Sequence, residues 1–345
     1  MAHYPRKPVP GDRVAVVSPS AGLPEILPLP YELGLARLRE DFGLVPIEYP
    51  STRRMGSSPA DRAADLHAAF ADPSVKAVIS SIGGDDQLTV LPYLDRKLLQ
   101  DNPKPFFGFS DCTNLLALLA DIGIVGYHGG AVMTAFGRPG SMHPATEDSL
   151  RAALFGTGTF ELRDPGEYRD IDRDWADPAT FEAAPEMSPS PGWEWRGSGS
   201  IVTGHGWGGC LEVVSWLLMA DRCVPDPEWF DGAVLFFETS EEMPEATEVY
   251  RILRSIGERG ILGRCAAVLM GRPKSRSLNL ALSAPDAEAF RAEQREAVVR
   301  ALDEYNPGVP AVLGVDFGHT DPQLVLPYCG TVRVDVANHH LSVDY

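Results

Sequence analysis

Arg13–Ser18 reads RVAVVS, an apolar run that breaks at Pro19 and Gly22, and it predicts a buried strand followed by a loop. Leu33, Leu35, Leu38 and Phe42 then recur at helical spacing through Tyr31–Phe42. Ala63, Leu66, His67 and Phe70 repeat that spacing across Asp61–Phe70. The β-branched run Val75–Ile82 (VKAVISSI) ends in Gly83-Gly84-Asp85-Asp86. Pro105–Ser110 (PFFGFS) predicts another short strand, and Thr113–Ala120 a helix directly after it. Strands alternating with helices in this way predict a parallel sheet covered on both faces.

Between Arg163 and Gly199 the periodicity fades. Pro165, Pro178, Pro185, Pro189 and Pro191 fall here with Trp175, Trp193 and Trp195, and aspartates cluster between Asp170 and Asp177. Such texture predicts a linker or a long functional loop. Periodic patterning resumes at Ser200–Gly204, and Gly208-Gly209 is expected to open a helix through Leu211, Val214, Leu217 and Leu218. Gly232–Glu238 (GAVLFFE) predicts a strand ending in a carboxylate. An amphipathic stretch, Glu245–Gly257, precedes strand Ala266–Met270. Pro285–Glu304 reads as a charged helix, Ala311–Phe317 as a strand running into Gly318-His319, and Thr331–Val336 with Leu341–Val343 as a closing hairpin. The expected fold is α/β with two lobes: an N-terminal, Rossmann-like parallel-sheet domain over 1–163, a Pro/Trp-rich linker and substrate loop over 164–199, and a C-terminal mixed β/α domain over 200–345.

Charge narrows the function. Thirty Lys and Arg against 48 Asp and Glu leave a net −18, a poor match to a nucleic-acid backbone or an anionic membrane surface. No apolar run approaches the ~20 residues that span a bilayer, and no apolar signal core precedes Asp12-Arg13. Five scattered cysteines without a CxxC pair favour reduced thiols over disulfides or a zinc knuckle. The expectation is a soluble cytoplasmic protein.

Three polar side chains stand where apolar strands stop: Ser110, Glu238 and His319. Carboxyl ends of parallel strands form the ligand crevice of such sheets, so these positions converge in space. Ser110 lies on a strand-to-helix turn, where it is either a nucleophile or a helix N-cap. Gly83-Gly84 is either a tight turn or a ligand-facing backbone whose Gly84 amide, with that of Asp111, holds an oxyanion. Glu238 is a buried partner or a solvated strand end, with Glu241 and Glu242 as competitors. His319 alone would be an ordinary surface histidine. Together they make a nucleophile, a base and an orienting carboxylate. No GxGxxG follows the first strand, no GxxxxGK[ST] occurs anywhere, and no HExxH spacing is present, so neither a dinucleotide nor a metal is expected.

At these residues the chain resembles the LD-carboxypeptidase / microcin C self-immunity family of serine peptidases. The matching segments are VAVVSPS, SSIGGDD, FGFSDCTNLL, GWGGCLEVV, VLFFETSEE and GVDFGHTDPQLVLPYCG, nearly end to end. The resemblance implies a Ser–Glu–His triad on Ser110, Glu238 and His319, with an oxyanion hole from the amides of Gly84 and Asp111. It also implies two α/β lobes with the site in the cleft between them, a homodimer, and no metal or cofactor. One branch of the family trims murein tetrapeptides in cell-wall recycling; the other cleaves the amide between a peptidyl or aminoacyl group and a nucleotide-like partner. SIGGDD in place of an Arg-Gly-Gly-Tyr-Gly type segment, and Trp193 and Trp195 as surfaces for a base, favour the immunity branch. Gly83 and Asp85 are then expected at the substrate, with Cys210 where the family commonly has asparagine. A binding protein that kept the cleft and lost turnover would not need all three triad residues.

Overall fold

The computed structural model describes residues 2–199, 201–277, 280 and 282–345. Met1 and Ser200, which open the first and last expected units, therefore lie outside the described residues. Five parallel strands form the first sheet: β1 (Arg13–Val17), β2 (Val45–Glu48), β3 (Val75–Ser80), β4 (Phe106–Gly108) and β5 (Gly126–His128). They lie in the order β5-β4-β3-β1-β2, and Leu326–Tyr328 pairs antiparallel with β5. Every residue of β4 and β5 is buried, and Lys76 is the one exposed residue of β3. Burial on both faces explains why these strands read as continuous apolar runs without alternation. The helix Pro59–Ala71 starts where Ser58 accepts a hydrogen bond from the Asp61 amide and Pro59 supplies the first-turn φ.

The rest of the chain adds β6 (Thr159–Leu162), β7 (Glu167–Tyr168), β8 (Ser188–Pro189), β9 (Glu194–Arg196), β10 (Val202–Cys210), β11 (Val234–Glu238), β12 (Ala267–Gly271) and β13 (Ala311–Val315). It closes with β14, the Leu326–Tyr328 strand already placed in the first sheet, β15 (Thr331–Asp335) and β16 (His340–Asp344). The second sheet runs β6-β16-β15-β10-β11-β12-β13-β9, with β10 to β13 parallel and the outer strands antiparallel. β7 and β8 form a separate ribbon.

The mixed α/β fold is as expected, but its two sheets are not divided at 163 and 200. β6 precedes the first boundary yet pairs with β16, and β14 crosses back to the first sheet. The Pro/Trp-rich stretch supplies β9, which covers the edge of β13. Gly208 and Gly209 belong to β10, and the helix starts after them at Leu211. β10 needs glycine there because a Cβ on Gly208 would stand 1.7 Å from the Phe236 carbonyl oxygen on β11. One apolar core runs under both sheets, with Trp207 fully buried edge-on to Phe230, Phe237 and Tyr328.

Candidate active site

Ser110 follows β4 and opens a single 3₁₀ turn, Ser110–Cys112, which leads into the helix Thr113–Asp121. Its φ is +58°, a left-handed conformation that costs a residue with a Cβ on the order of 1–3 kcal/mol. The cap position of the helix is Cys112 and no side chain caps it, so the Ser110 hydroxyl is not committed to capping. A strained turn between strand and helix that carries a partly exposed serine can present a nucleophile.

The glycine loop after β3 packs against this turn. A Cβ on Gly83 would lie 2.9 Å from Ser110 Cβ and 3.0 Å from its Oγ, so only glycine leaves the hydroxyl room. Among the described residues, the amides of Gly84 and Asp111 donate to no backbone carbonyl in turns or loops. The Asp111 carboxylate, fully buried, accepts from the Gln87 amide at 2.8 Å and from Asn114 Nδ2 at 2.8 Å. Burial pushes Asp111 up to about 6, with the Gln87 amide pulling the other way. Gln87 in turn accepts from the Leu115 amide at 2.9 Å. The loop and the helix start are thereby one unit. Asp85 is exposed and is not among the residues lining the cleft.

Glu238 is the last residue of β11 and His319 lies four residues beyond β13. His319 Nδ1 is 2.6 Å from Glu238 Oε2, and Glu238 is fully buried. That contact fixes the ring with Nε2 available for chemistry. Among the described residues Nε2 makes no hydrogen bond, although Glu241 Oε2 stands 3.2 Å away. Burial pushes the imidazole pKa down, but the negative charges of Glu238, Glu241 and Glu212 outweigh it and leave the pKa raised. Of the carboxylates that end and follow this strand, Glu238 holds Nδ1 and Glu241 stands at Nε2.

Ser110 and His319 line one cleft of about 430 Å³, together with Gly83, Gly84, Glu241 and Trp175. Its floor comes from the segments after β3, β4, β5, β11, β12 and β13, so the carboxyl ends of both sheets converge on it. Trp193 and Trp195 are not brought here. Trp193 Nε1 donates to Asp316 Oδ2 at 2.8 Å, and Trp195 stacks on His339 with ring centroids 5.3 Å apart. Of the three tryptophans in this stretch it is Trp175 that lines the cleft, and the proline-rich texture flagged it only as part of a loop. Beside it, Arg169 and Arg173 donate to the carbonyls of Ile171, Glu186 and Ala183, and neither has a carboxylate partner among the described residues. Cys210 is buried, with its Sγ 3.4 Å from Glu212 Oε2, and it does not line the cleft.

This arrangement can present a hydroxyl, a base held by a carboxylate, and unpaired amides to one carbonyl group. Among the described residues, no cluster of three or more His, Cys, Asp or Glu is placed to hold a metal, and no helix is long and apolar enough to cross a membrane.

Comparison with known proteins agrees with the fold. Residues 14–129 match the LD-carboxypeptidase N-terminal domain and 203–334 the LD-carboxypeptidase C-terminal domain. A relative in Treponema pallidum, assigned provisionally as a carboxypeptidase, is 30% identical over 84% of this chain and 79% of its own. The microcin C7 self-immunity protein MccF of Escherichia coli is 25% identical over 82% of this chain and 78% of its own. The structure of MccF with aspartyl sulfamoyl adenosine superposes with a TM-score of 0.84 at 22% identity, covering 100% of this chain and 98% of that one. An MccF-like protein of Streptococcus pneumoniae bound to AMP gives 0.84 at 24% identity, covering 97% and 99%.

Proposed function

Since the chain belongs to the LD-carboxypeptidase family of serine peptidases, we propose that it hydrolyses the amide joining an aminoacyl or peptidyl group to a nucleotide-like partner, detoxifying aminoacyl-adenylate analogues. The observation that carries this reading is the lining of the cleft that Ser110 and His319 share. Trp175 offers a face for a base, and Arg169 and Arg173 offer two guanidiniums without carboxylate partners for a phosphate or sulfamoyl group.

In the proposed reaction, Ser110 Oγ attacks the acyl carbon while His319 Nε2 takes its proton. Glu238, against Nδ1, stabilises the imidazolium that forms. Negative charge developing on the carbonyl oxygen is held by the amides of Gly84 and Asp111. Collapse breaks the C–N bond, and the leaving nitrogen takes the proton from His319. Water then attacks the acyl-serine by the same route, with His319 again as base, and releases the acid and the free hydroxyl. Five unpaired thiols, four of them buried, suit the reducing cytoplasm where aminoacyl adenylates occur.

Hydrolysis of aspartyl sulfamoyl adenosine and of a murein tetrapeptide, assayed side by side, tests the assignment. Turnover of the adenosine conjugate in preference is expected. Preference for the tetrapeptide would move the protein to cell-wall recycling.

A further inference from the structure

His128, the last residue of β5, is fully buried and has no role in the chemistry described so far. Among the described residues neither ring nitrogen makes a well-formed hydrogen bond, although the Phe317 backbone is close enough to pull the ring's pKa upward. Its Nε2 lies 3.9 Å from Glu238 Oε1, and that oxygen is itself buried and unpartnered. Glu238 thus has one oxygen on His319 and the other facing a second histidine. The remaining surroundings are aromatic: Phe109, Phe236 and Phe317 approach the His128 ring edge-on, with centroids 6.2, 5.6 and 6.0 Å away.

We propose that His128 is a positioning residue for the proposed reaction, a neutral donor whose Nε2–H holds the second oxygen of Glu238 while the first holds His319. The inference rests on the reading of Glu238 as the orienting carboxylate. Two buried polar atoms 3.9 Å apart, neither with a well-formed hydrogen bond elsewhere, are each other's available partners. Contraction by about 1 Å would make a charge-assisted hydrogen bond, and catalytic contacts that are long without substrate commonly tighten when it binds.

The chemistry of the donor matters. Glu238 must stay ionised and keep its orientation when an imidazolium forms at His319. A lysine or arginine behind it would repel that imidazolium, and an aliphatic residue would leave half the carboxylate bare. A neutral imidazole donates without adding charge. Burial supports this state by lowering the His128 pKa to about 4, against the upward pull of Glu238. A purely structural account fares worse, because an imidazole whose nitrogens lack well-formed hydrogen bonds stabilises an aromatic pocket less than phenylalanine would.

Rates of Ser110 phosphonylation by a fluorophosphonate read the activation of the nucleophile without committing to a natural substrate. His128→Phe should lower the maximal inactivation rate at least about tenfold, within the range that acid–base assistance supplies, and leave the half-saturating probe concentration unchanged. Its melting temperature should equal or exceed that of the wild type, and His128→Gln, which keeps a donor at the same reach, should recover most of the rate. In the wild type, ¹⁵N NMR should show His128 as the neutral Nε2–H tautomer. A wild-type rate in His128→Phe, a loss explained by a lowered melting temperature, or the Nδ1–H tautomer would overturn the proposal. Glu238→Gln separates the two readings: if it keeps the wild-type rate, the triad itself is wrong, whereas a slow Glu238→Gln beside a fast His128→Phe removes His128 alone.

Discussion

Arg62 grips Asp86 through two contacts, Nη1 to Oδ1 at 2.6 Å and Nη2 to Oδ2 at 2.8 Å, and the same guanidinium donates to the Ser20 carbonyl at 2.9 Å. The pair pins the end of the glycine loop whose Gly83 packs on Ser110. Its two halves are unequally buried: the Arg62 side chain is 3% exposed and that of Asp86 50%. Removing Asp86 strands a buried cation, whereas removing Arg62 leaves a carboxylate that water can reach. Asp86→Ala should therefore destabilise more than Arg62→Ala, about 3 kcal/mol against about 1–2. Urea denaturation of the two variants checks the order, and equal losses would mean the pair is held from the solvent side.

The two carboxylates at His319 predict the same direction in pH but different costs in rate. Because the imidazole pKa is raised, the acidic limb of kcat/KM should lie above the ordinary ~6.5, with the base disabled below it and active above it. Glu241→Gln removes a negative charge 3.2 Å from Nε2, so the limb should move to lower pH with the maximal rate retained. Glu238→Gln should lower the limb too, but with a rate loss on the order of 10²–10⁴, since an amide does not stabilise imidazolium as a carboxylate does. Full pH profiles of both variants decide it. A crippled Glu241→Gln beside an active Glu238→Gln would reverse the assignment.

The three tryptophans of the proline-rich stretch should separate by substrate. Trp175→Ala should weaken use of aspartyl sulfamoyl adenosine about 5- to 150-fold, the cost of losing base stacking, and barely affect a substrate without a base. Trp193→Ala should act on stability, by about 1–3 kcal/mol, because it removes a donor from the buried Asp316 carboxylate. Trp195→Ala should leave both substrates alike. Steady-state kinetics with paired melting curves distinguish these outcomes, and a base-specific loss in Trp193→Ala would place the wall elsewhere.

Much of this was legible in the chain, and the gaps have physical causes. The strands that carry Glu238, and that precede Ser110 and His319, are buried on both faces, so their apolar runs announce themselves and their ends point to the crevice. β5 and β14 have three residues each, too few to show a period, and their pairing is set by neighbours distant in sequence. Gly208-Gly209 reads as the opening of a helix because the β10 glycines serve close strand contact and carry no apolar period. Trp175 and Trp193 are alike in local composition. Only the path of the loop, tied by the Arg169 and Asp321 backbones at 2.6 and 2.9 Å, turns one to the cleft and not the other. His128 gave no signal, since a lone histidine in an apolar strand reads as core.

The central claim is that Ser110 is the nucleophile, and mass spectrometric location of a fluorophosphonate adduct tests it most directly. The wild type should gain one adduct, mapped to the peptide that contains Ser110. Ser110→Ala should gain none there, lose amide hydrolysis by several orders of magnitude, and keep its stability within about 1 kcal/mol. An adduct at another serine, or Ser110→Ala that retains more than about a tenth of the hydrolytic rate, would contradict the account.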